Sequence, residues 1–106
     1  MITVTICRKS GAYSGFSVEG HAGYSDEGND IICSAVSMLT LNTVNSIEAF
    51  TDDDFLAECG DGVLKFELNS EPCGDTVLLI DSMVLGLSQV KKDYGDSYIK
   101  FEYEEV

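Results

Sequence analysis

Basic residues are scarce in this 106-residue chain: six lysines and arginines face nineteen aspartates and glutamates, for a formal net charge of −13 and a pI near 4.1. That is the wrong sign for a surface that gains affinity by neutralising phosphates, so nucleic acid is not expected as a direct ligand. There is one histidine, and Cys7, Cys33, Cys59 and Cys73 stand far apart with no Cys-x-x-Cys pair. The spacing of a tetrahedral zinc site is missing, and neither metal nor cofactor is expected. The four cysteines read as reduced thiols. No long hydrophobic run is present either: the longest uncharged stretch, Ile31 to Ile47, includes Ser34, Ser37, Thr40, Asn42, Thr43, Asn45 and Ser46, too polar for a bilayer. The N-terminus meets charges at Arg8 and Lys9 and lacks the pattern of a signal peptide, so a cytoplasmic location is expected.

What is present is the material of one globular domain over residues 1–106. The apolar and charged shares, 44% and 24%, are ordinary, and a chain of this length can bury roughly two-thirds of its unfolded surface. Ile2, Val4 and Ile6 alternate with polar residues, Ser10-Gly11 makes a turn, and Phe16 and Val18 alternate again, which predicts a hairpin ending near residue 20. His21 to Asn29 reads as a loop. Asp30 is a good N-cap for a helix with Ile32, Val36, Leu39, Ile47 and Phe50 on one stripe and Ile31, Met38, Leu41 and Val44 elsewhere around it. Phe55 to Glu58 and Val63 to Leu68 flank Gly60-Asp61-Gly62 as a second hairpin. A second helix is predicted over Asp75 to Tyr94, stopped by Gly95, and a last strand over Tyr98 to Tyr103. The order ββαββαβ predicts an α+β fold, a mainly antiparallel sheet packed with two helices, and leaves the strand order open.

The single histidine stands at the end of a strand, and the far side of the loop carries Cys33 in the first turn of a helix. Cysteine attacks as its thiolate, and free N–H groups at a helix start favour negative charge, which predicts a lowered thiol pKa. His21 could take the thiol proton and later protonate a leaving amine. Asp30 has two candidate roles, capping the helix or orienting the imidazole, and capping is favoured. The backbone around Gly20 and Gly23, with the N–H groups of the helix start, is a candidate oxyanion site. Cys7, Cys59 and Cys73 have no base nearby in sequence and are read as packing residues.

Gly20-His21-Ala22-Gly23-Tyr24 followed by Asp30-Ile31-Ile32-Cys33-Ser34-Ala35-Val36-Ser37 resembles the signature of the ribosomal-processing cysteine protease family Prp. The resemblance extends to length, acidity and element order, although its specific part is the segment from Gly20 to Ser37. It implies an endopeptidase that removes an N-terminal extension from bacterial large-subunit ribosomal protein twenty-seven. By the matching motif, Cys33 is the nucleophile, His21 its base, and the family's aspartate falls on Asp30. Ser34 stands where the family often has alanine. The resemblance further implies a dimer with a mobile loop over the site. The first helix, with Glu48 as the one charge between Ile31 and Phe50, independently predicts an apolar face for a second protomer. Two readings from other classes compete: a non-catalytic acidic module associated with the ribosome, and a thiol redox or peroxide sensor needing a resolving thiol near Cys33.

Overall fold

The computed structural model describes residues 1–23 and 30–106; most of the loop expected between Ala22 and Asn29 lies outside the described residues. Strand β1 (Ile2–Lys9) and strand β2 (Ala12–Glu19) form the first hairpin. Ser10 and Gly11 turn the chain with φ of 53° and 84°, the paired left-handed conformations that a two-residue hairpin turn demands. Ile2, Val4 and Ile6 point to the core while Thr3 and Thr5 take the other face, as alternation requires.

Helix α1 (Ile31–Phe50) buries Ile32, Val36, Thr40, Thr43, Val44 and Ile47. The stripe is therefore rotated from the expected one: Phe50 is exposed at 75%, and two threonines enter the core. They do so without an unpaired hydroxyl, because Thr40 Oγ1 donates to Val36 O and Thr43 Oγ1 to Leu39 O, both at 2.8 Å. Strand β3 (Phe55–Gly60) and strand β4 (Val63–Leu68) make the second hairpin. Helix α2 (Gly74–Tyr94) buries Thr76, Ile80, Met83 and Leu87 and ends at Gly95, whose φ of 99° suits glycine. It packs on α1, where a Cβ on Gly86 would come 3.0 Å from Leu39. Strand β5 (Ile99–Glu105) closes the order ββαββαβ.

The sheet order is β3-β4-β2-β1-β5, antiparallel except for the parallel β1–β5 pair. One apolar core joins the sheet to the helices, with Phe16 stacked on Phe66 at 4.8 Å between centroids. The pairing of β2 with β4 has the largest consequence for the site: Glu19 lies opposite Val63, so the β3–β4 turn stands beside the end of β2 and the residues that follow it. Among the described residues no helix is long and apolar enough to cross a membrane.

Candidate active site

Asp30 starts α1 in an extended conformation, with φ −78° and ψ 101°, and its side chain caps the helix. Oδ1 accepts the N–H groups of Ile32 and Cys33, each at 3.0 Å, satisfying two donors that every helix start leaves unpaired. Ser34 Oγ and Ser34 N both donate to the Asp30 carbonyl, at 3.2 and 3.1 Å. Cys33 is thereby fixed as the third helical residue. Its Sγ accepts the N–H of Ala22 at 3.2 Å, a direct link across the gap between the two halves of the motif.

The thiol pKa departs from expectation. Burial pushes it above its ordinary value, and the charge and hydrogen bonding of Asp30 push the same way, against the lowering by the Ala22 N–H. The carboxylate that caps α1 sits beside the sulfur, so the group that completes the helix start also opposes a negative charge there.

His21 follows Gly20, whose φ of 96° and close approach to the Met1 carbonyl admit no side chain. The Met1 nitrogen donates to His21 O at 2.6 Å, and Gly20 N donates to Gly62 O at 2.8 Å, so the segment is held from two sides. The imidazole lies against the β3–β4 turn: a Cβ on Gly62 would be 3.0 Å from Nε2. Among the described residues the ring makes no hydrogen bond to Cys33 Sγ, yet both line one cleft of about 270 Å3. Ile2, Val18, Val36 and Leu64 give that cleft apolar walls.

The candidate oxyanion donors are largely engaged. Gly20 N–H goes to Gly62, the N–H groups of Ile32 and Cys33 to Asp30, and that of Ala22 to the sulfur. Among the described residues no atom beyond its chain neighbours lies within 4 Å of a Cβ placed on Gly23, whose φ is 72°. Two features had escaped the sequence reading. The turn Gly60-Asp61-Gly62 forms one wall of the cleft, and Cys59 lines it as well, so His21, Cys33 and a second thiol share one space. The only signal for the wall was a turn with two glycines, which says nothing about its neighbour until β4 is placed beside β2. Cys7 and Cys73 lie elsewhere, Cys7 near Glu104 and Cys73 at the start of α2. Among the described residues no three potential metal ligands come together.

Several known proteins share this arrangement of elements. The ribosomal processing cysteine protease Prp of Bacillus subtilis (strain 168) is 30% identical over 105 residues, covering 92% of this chain and 93% of that protein. The protein of the same name from Staphylococcus aureus (strain NCTC 8325 / PS 47) is 25% identical over 107 residues, 98% of this chain and 100% of that one. Among solved structures, the S. aureus protease Prp in complex with a covalently linked product peptide superposes with a TM-score of 0.90 at 24% identity, covering 98% of this chain and all of that one. SMU.848 from Streptococcus mutans superposes at 0.80 with 27% identity, over 100% and 96% of the two chains. The family model for the cysteine protease Prp matches residues 1–100, which takes in both hairpins, both helices and the cleft between them. On that match over nearly its whole length, and on a relative at 30% identity, the chain belongs to the cysteine protease Prp family.

Proposed function

We propose that this protein is a cytoplasmic endopeptidase that removes the N-terminal extension from the precursor of large-subunit ribosomal protein twenty-seven, with Cys33 as nucleophile and His21 as base and then acid. The observation that carries this reading is the shared cleft: the chain's single imidazole and the capped, backbone-linked thiol of Cys33 line the same space. Peptides bound by S. aureus Prp, a covalently linked product peptide and a substrate peptide, support a peptide as the occupant.

In this mechanism His21 takes the proton from Cys33 Sγ, and the thiolate attacks the carbonyl carbon of the scissile bond. The tetrahedral intermediate collapses as the imidazolium protonates the departing amine, leaving an acyl-thioester on Cys33. Water, deprotonated by the same imidazole, attacks the thioester, and the thiol leaves as the peptide acid is released. Burial pushes the Cys33 thiol above its ordinary pKa, which favours the protonated sulfur and leaves its deprotonation to His21. Asp30 serves as the cap that fixes Cys33.

The active form is a homodimer. Met38 and Leu41 on α1 and Leu85 on α2 are exposed, the first at 72%, and a second protomer would cover such a surface. Light scattering at micromolar concentration is expected to give twice 11.5 kDa; the mass of one chain would remove the dimer from the proposal. The function itself is tested by incubating the purified chain with extended and already trimmed forms of the ribosomal protein. Release of the extension from the first alone, lost in Cys33→Ala, is the expected result, and intact extended protein would refute it.

A further inference from the structure

We propose that Gly62 is a positioning residue for the His21 imidazole: the bare Cα of the β3–β4 turn is the surface on which the ring rests, and a side chain there would displace the base. This rests on the reading of His21 as the base and names what holds it in place. Two constraints meet at Gly62. Its φ of +70° is left-handed, and an added Cβ would lie 3.0 Å from His21 Nε2 and 3.5 Å from Cε1. The first is a backbone cost that any turn glycine of this kind carries. The second is specific to the ring.

The same turn also grips the backbone of the segment, through the bond from Gly20 N–H to Gly62 O at 2.8 Å. The ring is the far end of a rotatable side chain, so crowding at Gly62 is relieved by moving the imidazole while the sheet stays put. Such a shift, a few tenths of an ångström at this contact, costs little in folding and more in catalysis, because a general base works over hydrogen-bond distances and a misplacement of about 1 Å would cost on the order of 100-fold. The molecule contains its own control. Gly11, with φ +84°, sits in the other hairpin turn, and among the described residues no atom beyond its chain neighbours comes within 4 Å of its Cβ position.

The test compares Gly62→Ala, Gly11→Ala and His21→Ala in the full chain, using a synthetic peptide that spans the precursor's cleavage junction. Gly62→Ala is expected to lower kcat about 3- to 10-fold with KM within about twofold. Gly11→Ala, with a comparable loss in urea midpoint, is expected to keep kcat within about twofold. If Gly62→Ala fails to fold, Gly62→Asn, which tolerates left-handed backbone and carries the same Cβ, takes its place. A Gly62 variant with kcat at or above the unmodified level, or a loss matched by Gly11→Ala, overturns the inference. Undiminished cleavage by His21→Ala overturns instead the assignment of the base, whatever the glycines do.

Discussion

Both helices begin beside a cysteine, and the two starts are built differently. Helix α1 carries its own cap, Asp30, which is buried, and its cysteine lies three residues further on, facing a cleft with the histidine. Helix α2 has Cys73 itself at the cap position with no side-chain cap bond, and the cap residue's own N–H is held from twenty residues away, where Asp53 Oδ2 accepts it at 2.9 Å. Thr51 and Thr76 tie the same corner together through their hydroxyls. A helix start alone does not make a nucleophile. Cys73 is exposed near threonine and aspartate, whereas Cys33 has an imidazole in its cleft and a backbone N–H on its sulfur.

The largest expected difference between the two starts is catalytic. Cys33→Ala should cut cleavage of the precursor peptide by at least about a thousandfold, with His21→Ala close behind. Cys73→Ala should stay within about twofold of the unmodified protein. Circular dichroism and gel filtration would show all three folded, and substantial activity in folded Cys33→Ala would erase the contrast.

Next in size is the effect of the two capping acids. Asp30→Ala should destabilise the fold by about 1 kcal/mol and depress cleavage, while Asp30→Asn, which still caps, should be milder on both counts. Asp53→Ala should cost about 0.5 kcal/mol, the low end for a partly exposed cap, and leave kcat alone. Urea unfolding and peptide cleavage read the two effects separately. A loss of activity in Asp30→Asn as deep as in Cys33→Ala would give Asp30 a second role at the imidazole.

The acids also differ in what they do to their neighbours' protons. Burial, followed by Asp30, holds the Cys33 thiol above its ordinary value, so Asp30→Asn should move the pH profile of Cys33 alkylation by iodoacetamide to lower pH. An unmoved profile would leave burial as the whole cause. Asp53 is held below the ordinary carboxylate value by hydrogen bonds from Thr76 and Cys73. Its stabilising contribution is complete above the unfolded-state value and fades as the pH falls through the lower, folded one. The stability gap between the native protein and Asp53→Asn should therefore close below about pH 4, and a gap that held constant would contradict the hydrogen-bonded carboxylate.

The smallest effect concerns long-range charge. Fifteen of the nineteen acids lie beyond residue 47, Asp52, Asp53 and Asp54 among them, and the other four, Glu19, Asp26, Glu27 and Asp30, lie around His21 and Cys33 in the sequence. A basic precursor should lose its kcat/KM advantage over a short neutral peptide as salt rises from about 0.02 to 0.5 M. Turnover at saturation should barely change. A flat ratio would leave the acidic surface with no part in encounter.

By itself the sequence determined the elements and pointed to two residues that share a cleft. Alternation at Ile2, Val4 and Ile6 made a strand, Asp30 marked a helix start to the residue, and a lone histidine twelve positions before Cys33 lines the same space as that thiol. Each of these depends on neighbours within a few residues, or on residue types too rare to overlook. The helix stripe was less legible: threonines at 40 and 43 entered the core by bonding their own helix's carbonyls, and Phe50 at the last turn ran past it. Only the tertiary structure decided that β4 lies beside β2, and from that one pairing came the wall at Gly62, the place of Cys59 in the cleft and the bond from Gly20 to the turn. The direction of the Cys33 pKa was decided in the same way. Strand order and burial are set by contacts between residues far apart in the chain, and no local pattern of spacing records them.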